Sequence, residues 1–164
     1  MQRKTESAEL MNLLCDAVAR ELQVSVQYMM QHAIGAGRMS AGNGSPATGE
    51  QEKFIASHTL YFMPGDRLKK IAITEMRHAE AISERVVLLG GEPPSQPAAI
   101  TIGSTAREML ANDQEQERSA IELYTRIIAV ADGVQDSITA KLFRSILAEE
   151  QGHHRVFTRL LGEG

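Results

Sequence analysis

A single cysteine, Cys15, is all the thiol chemistry in this chain of 164 residues. One cysteine excludes an intramolecular disulfide and any iron or zinc centre built from four cysteines of one chain, and it fits a reducing, intracellular setting. Basic clusters are almost as scarce. Arg3-Lys4 is a short basic pair near the N-terminus, and 17 Lys and Arg against 21 Asp and Glu leave a formal net charge of −4. That balance carries no electrostatic footprint for nucleic acid, so DNA binding is disfavoured. No apolar run approaches the length of a membrane span, and the N-terminal Met-Gln-Arg-Lys-Thr-Glu-Ser lacks the apolar stretch of a signal peptide. The expected location is the cytoplasm. Strand signals are nearly absent as well. What the length does allow is a single domain over 1–164 with a core large enough to fold without covalent staples.

Apolar residues recur at alternating three- and four-residue steps in four places, which predicts an all-α fold, a four-helix bundle. The first helix is expected from about Ser7 to Ile34, with the stripe Leu10, Leu14, Ala17, Glu21, Val24, Tyr28. The second is expected from about Asp66, after the Pro64-Gly65 breaker, to Leu89, where Gly90-Gly91 supplies a helix C-terminus. Its stripe is Leu68, Ile71, Glu75, His78, Ile82, Val86, Leu89. Thr105-Ala-Arg-Glu108 reads as a capping box for the third, whose stripe is Leu110, Asp113, Glu117, Ile121, Tyr124, Ile128. The fourth, about Asp136 to Leu161, carries Phe143, Ile146, Glu150, His153, Phe157, Leu160.

The connections set the topology. Only Asp132 to Gln135 separate the third and fourth helices, so these form an antiparallel hairpin. Residues 91 to 104 carry Pro93, Pro94 and Pro97 and read as extended, reaching roughly 46 Å at about 3.3 Å per residue. Parallel second and third helices need a span of roughly 39 Å to bring Glu75 level with Glu117, at about 1.5 Å per helical residue, so a long crossover is feasible. Residues 35 to 49 hold five glycines and read as a flexible loop; 50 to 63, with Phe54, Ile55, Leu60, Tyr61 and Phe62, read as a short amphipathic helix.

Glutamate is seldom fully buried, so a Glu on an apolar stripe needs a partner. A lone Glu21 or Glu117 would more often reach solvent or pair with an arginine. Here Glu21, Glu75, Glu117 and Glu150 all fall at mid-helix, one per helix, and His78 and His153 follow two of them by three residues, on the same helix face. Four carboxylates converging in a dry core repel one another, whereas two divalent cations bring +4 against their −4. Glu and His donors in that ratio suit iron or manganese, with zinc a possible substitute. Helix bundles that hold a dinuclear carboxylate site draw a Glu from each of two helices and Glu-x-x-His from each of the other two, and this chain offers the same set. Glu149, His154, Asp113, His32 and His58 fall outside the set, Asp113 as a potential acceptor one turn from Glu117. Tyr28 and Tyr124, each seven residues after a Glu, read as core residues with satisfied hydroxyls.

With these residues in place the chain resembles the ferritin-like superfamily and, within it, the bacterioferritins. The resemblance runs over Arg-Glu21-Leu with Gln27-Tyr28, Glu75-Met-Arg-His78-Ala-Glu with Leu89-Gly-Gly-Glu-Pro, and Arg107-Glu-Met-Leu with Asp113 and Glu117. It continues in Ala131-Asp132 with Asp136 and Ile146-Leu-Ala-Glu-Glu150-Gln-Gly-His153. It implies that Glu21, Glu75, His78, Glu117, Glu150 and His153 are ferroxidase ligands, Glu75 and Glu150 bridging two irons. The implied activity is oxidation of Fe(II) by dioxygen or hydrogen peroxide, with Fe(III) stored in a hollow homo-oligomeric shell. Met76 falls where bacterioferritins place the axial methionine of haem b; relatives that bind no haem carry the same residue, so haem stays open.

Three departures qualify the resemblance. Only 11 residues follow His153, so no C-terminal fifth helix is expected; the end resembles the dodecameric mini-ferritins, including the Dps-like group with a bacterioferritin-type site, and a 12-mer is favoured over the 24-mer that such a helix supports. Residues 35–63 look inserted. Lys70 and Thr74 stand where some bacterioferritins have the His and Asp of an inner-surface iron site. Two other functions compete: a dinuclear peroxidase or oxidase like rubrerythrin or manganese catalase, and a DNA-coating shell protein. The absence of a rubredoxin-like cysteine pair weakens the first, and the acidic charge weakens the second.

Overall fold

The computed structural model describes residues 2–41 and 67–162, with side chains at 7–34 and 67–162. Four helices make up this part: α1 Gln2–Ala41, α2 Arg67–Leu88, α3 Ala106–Gly133 and α4 Ser137–Leu161. No strand occurs among the described residues, and no helix follows α4 among them.

Local chemistry explains most of the helix ends. The expected capping box is present: Thr105 accepts from the Glu108 backbone, and the Glu108 carboxylate accepts from the Thr105 backbone. Asp136 caps α4 by accepting from Thr139 N at 3.0 Å. Gly90, at φ +81°, takes the left-handed turn that ends α2, and Gly91 N donates back to Val86 O at 2.9 Å. One end differs from expectation. α1 runs to Ala41, so residues 35–41 are helical and not loop. Gly35 and Gly37 each cost a helix about 1 kcal/mol but do not break it, and Ala36, Arg38, Met39 and Ala41 are good helix formers. The rest of the expected loop and the amphipathic helix at 50–63 lie outside the described residues, as does His58.

Contacts along the helices give their directions. Asp113 and Arg126 of α3 meet Gln31 and Glu9 of α1, so these two run antiparallel. Gln114 and Asp132 of α3 meet Thr158 and Arg144 of α4, the expected hairpin. Arg85 of α2 meets Asp136 at the start of α4, and His78 meets Glu149 further along it, so α2 opposes α4. α2 and α3 are therefore parallel, and residues 89–105 form the long crossover. That segment climbs α1: Glu92 O lies 3.9 Å from Cys15 Sγ, Ala98 N donates to Ala19 O, and Thr101 N donates to Gln27 Oε1. It reaches α3 at Gly103, where a Cβ would sit 2.6 Å from the backbone nitrogen of Met109. Only glycine lets the chain pass that close.

The core divides in two. Leu14, Val18, Ile82, Val86, Tyr124, Ile127, Phe143 and Ile146 belong to one buried cluster. Val24, Tyr28, Ile71, Met109, Leu110, Phe157 and Leu161 belong to the other. On every helix the mid-stripe Glu falls in sequence between residues of the two clusters, Glu21 between Val18 and Val24 and Glu150 between Ile146 and Phe157. A charged layer thus lies between two apolar ones.

Candidate metal centre

All four mid-helix glutamates are fully buried, at 0 % exposure, and His78 is 6 % exposed. His153 is half-buried. The structure brings these six residues into two overlapping groups of four: Glu21, Glu75, His78 and Glu150, and Glu75, Glu117, Glu150 and His153. Within each group one ligand atom per residue lies within 4.8 Å of the others. Glu75 and Glu150 belong to both.

The imidazoles turn the same nitrogen inward. His78 Nδ1 lies 2.9 Å from Glu75 Oε2 and 2.9 Å from Glu150 Oε1. His153 Nδ1 lies 2.7 Å from Glu75 Oε1, yet neither atom makes a regular hydrogen bond. Glu21 Oε2, Glu117 Oε2 and both oxygens of Glu150 are likewise buried without a regular hydrogen bond. Buried polar atoms are nearly always paired, so a knot of unpaired oxygens and one imidazole nitrogen, all facing one another, fits a cation. The donor set is hard carboxylate plus imidazole, without thiolate, and suits iron, manganese or zinc. The cluster is able to bind metal.

Protonation follows from the same crowding. Burial pushes the Glu21 carboxyl well above the usual carboxylate range, and Glu75 and Glu150 push it further against the pull of Arg20 and His78. Glu117 is raised well above that range by burial and by the same two carboxylates. For Glu75 burial also acts upward, but His153 and His78 close beside it win and bring it down to about 2. Burial acts to lower His78, and the Glu150 and Glu75 carboxylates outweigh it, holding the imidazole up to about 11. His153 is raised as well, Glu75 overcoming burial.

A ring of side chains holds the centre. The Tyr124 hydroxyl donates to Glu21 Oε1, and the Tyr28 hydroxyl donates to Glu117 Oε1. These are the satisfied hydroxyls expected of core tyrosines, but each serves the glutamate of the other helix. Arg20 also contacts Glu21 Oε1, at 3.3 Å. Sequence reasoning misses Arg20, although a signal is present: an arginine beside Glu21 on a stripe that buries its neighbours. Asp113 is buried and accepts from Gln27 and Gln31 at 3.1 and 3.0 Å. Glu149 is half-exposed, unlike Glu150, and its Oε2 lies 3.4 Å from the outward His78 Nε2. A carboxylate there fixes which ring nitrogen carries the proton. His154 packs over its own helical turn near Thr158, and His32 lies on α1, half-buried. Lys70 and Thr74 lie on α2, the Thr74 hydroxyl donating to Lys70 O. Met76, 48 % exposed, points into a separate cleft with Val26, Met29, Met30 and Ile73.

Comparison with known proteins matches the chain to one family and one fold. A family model described as a ferritin-like domain matches residues 61–164. The bacterioferritin of Desulfovibrio desulfuricans is 32 % identical over 152 residues, covering 92 % of this chain and 73 % of that protein. A Mycobacterium avium bacterioferritin is 41 % identical over 80 residues, an alignment that spans 48 % of this chain and 50 % of the relative. Among solved structures, the D. desulfuricans bacterioferritin, described with its diiron site in different catalytic states, superposes with a TM-score of 0.74 at 30 % identity, covering 98 % of this chain and 82 % of that one. Rhodobacter capsulatus bacterioferritin, described with a metal-free dinuclear site and haem iron, shares the fold at a TM-score of 0.73 and 22 % identity, covering 94 % of this chain and 84 % of that one.

Proposed function

The chain belongs to the ferritin-like superfamily and, within it, to the bacterioferritins, and from that membership we propose that it is a ferroxidase that stores or detoxifies iron. Bacterioferritins are diiron oxidoreductases at the level of the family. The finer reading is that Fe(II) is oxidised within each subunit. Glu21, Glu75, His78 and Glu150 would hold one ion, and Glu75, Glu117, Glu150 and His153 the other. The observation that carries it is the sharing of Glu75 and Glu150 by two buried tetrads whose inward atoms face one another, several of them without a regular hydrogen bond.

Two Fe(II) give up one electron each, which together reduce dioxygen to hydrogen peroxide or hydrogen peroxide to water, with two protons taken up in either case. The chain's contribution is position and charge. Tyr28 and Tyr124 each occupy one oxygen of a terminal glutamate and leave the other facing inward. The two apolar clusters exclude water on either side, so carboxylates act at short range and low dielectric. Groups that hold protons in the crowded cluster, Glu21, Glu117 and His78, give them up as cations arrive.

The subunits are proposed to assemble into a hollow shell of twelve or twenty-four copies in the cytoplasm. No helix among the described residues is long and apolar enough to cross a membrane. For haem b, which stays open, Met76 and the Met-lined cleft around it would be the holding residues, a soft thioether offered to the iron beside apolar walls. Soret absorbance on adding haemin, lost in Met76→Ala, tests that part.

Sedimentation of the purified protein, with absorbance recorded before and after Fe(II) is added in air, tests the whole. A large particle that gains ferric absorbance and retains iron is expected, with Glu150→Ala slow to oxidise. A monomer or dimer that turns over peroxide without keeping iron would instead place the chain with the dinuclear peroxidases.

A further inference from the structure

The two halves of the centre are near-copies. Glu21 and Glu117 each close one tetrad, and each gives one oxygen to a tyrosine seven residues after the other. Each tyrosine leans on a phenylalanine of α4, Tyr124 on Phe143 with ring centroids 5.2 Å apart and Tyr28 on Phe157 at 5.6 Å. Each glutamate leaves Oε2 without a partner, 4.0 Å from an imidazole Nδ1, that of His78 for Glu21 and of His153 for Glu117.

One charge breaks the match. Arg20 stands before Glu21, whereas the neutral Gln116 stands before Glu117. Arg20 is 7 % exposed. Its Nη1 lies 3.3 Å from Glu21 Oε1 and 3.4 Å from the Tyr124 hydroxyl, and its Nη2 donates to the backbone oxygen of Gln116. The guanidinium carbon lies 5.7 Å from the centre of the Tyr124 ring. Nε has no partner. Guanidinium stays charged under all ordinary conditions, so this is a permanent buried cation in direct contact with one terminal ligand, Glu21, and felt by Glu117 and Glu150 only at longer range. Such a group is costly to bury and acts strongly on its neighbours.

We propose that Arg20 makes the two ion positions unequal: the Glu117 half takes a divalent cation first and holds it more tightly, and the Glu21 half is the weaker, exchanging position. This rests on the dinuclear reading above. Arg20 competes with an ion for the charge on Glu21 and repels the ion itself, and both effects weaken with distance toward Glu117. Arg20 is a positioning residue, acting through Glu21.

A Co(II) titration of the full chain, stripped of metal and followed by visible absorbance against a competing chelator, tests this. Wild type should bind two ions in two resolved steps. Glu21→Ala should lose the weaker step and Glu117→Ala the tighter one. Arg20→Gln, which copies Gln116, should tighten the weaker step by about tenfold to a hundredfold, and Arg20→Lys, which keeps the charge, should leave two steps. Two indistinguishable steps in wild type, or an unchanged weaker step in a folded Arg20→Gln, would overturn the role of Arg20 and leave the dinuclear reading standing. Should Arg20→Gln not fold, the glutamate variants decide, since loss of the tighter step in Glu21→Ala overturns the order. Wild type that binds no Co(II) overturns the dinuclear reading itself.

Discussion

Replacing Glu117 by glutamine should stabilise the protein in a chelating buffer and cut the extra stability that added metal confers. Glu117 is fully buried, and burial together with Glu75 and Glu150 raises its carboxyl well above the usual range. The folded state therefore keeps a proton that the unfolded chain releases near pH 4.3. A group raised in the folded state contributes its full stability below the unfolded pKa and loses it as pH rises toward the folded one. The loss approaches about 1.4 kcal/mol for each pH unit in that window. Glutamine has the same shape, keeps an oxygen to accept from Tyr28, and places an amide where Oε2 was, beside Glu150. No cavity forms and no proton is linked to folding at this position. Urea denaturation in chelator at pH 5, 6 and 7, at fixed protein concentration, should show wild type falling away from Glu117→Gln by up to about 1.4 kcal/mol per unit. With Zn(II) at a hundred times its dissociation constant, each filled position adds about 2.7 kcal/mol, and the variant should forfeit most of one such increment. Parallel stability lines in chelator, or a variant that is weaker than wild type there at pH 7, would refute the reasoning, because Glu117 would then be ionised and well paired in the fold.

Filling the centre at pH 7 should release protons from Glu21, Glu117, His78 and His153, all of which are raised; an indicator dye in weakly buffered solution measures this, and release absent on Zn(II) binding counts against the assigned protonation. Phe143→Ala, which empties a fully buried site against Tyr124, should cost about 3–5 kcal/mol, whereas Leu88→Ala, at a residue 76 % exposed, should stay within about 0.5 kcal/mol by the same denaturation assay. Asp136→Ala removes the cap of α4 and leaves Arg85 without its 2.7 Å partner, for a loss of about 2–3 kcal/mol near neutrality. Burial acts to raise the Asp136 carboxyl, but Arg85 and Thr139 outweigh it and hold it below its usual value. Its contribution is therefore present above about pH 4 and lost as pH falls through the lowered value, so variant and wild type should converge in acid.

The bundle and the six residues of its centre are legible in the sequence because they violate the pattern around them. A glutamate at mid-stripe on each of four helices, with histidine three residues on in two, has no comfortable place in an apolar core. The capping box at Thr105 and the short turn before Asp136 are equally readable, since both rest on local hydrogen bonds. The crossed pairing of Tyr28 with Glu117 and Tyr124 with Glu21 is not, because it depends on how α1 and α3 face each other and no spacing within one helix encodes it. Arg20 is hidden for a related reason: its partners include a backbone oxygen and a hydroxyl on α3. α1 overruns its expected end because glycine weakens a helix without stopping it. Glu149 and Glu150 are neighbours in sequence with opposite burial, and here the sequence does choose: Glu150 fits the stripe and has His153 three residues on.

The division of the core has a mechanical consequence. Two greasy blocks, one around Phe143 and Tyr124 and the other around Phe157 and Tyr28, are joined through a layer whose members repel unless something compensates their charge. Such a layer is a seam. With protons alone to hold it, the two blocks are expected to open more independently, whereas the proposed cations, shared by α1, α2, α3 and α4, would clasp them together. Hydrogen exchange at the amides flanking Glu21 and Glu150 would report the seam closing, and the protein's rigidity would then be a gauge of how much metal it had taken up.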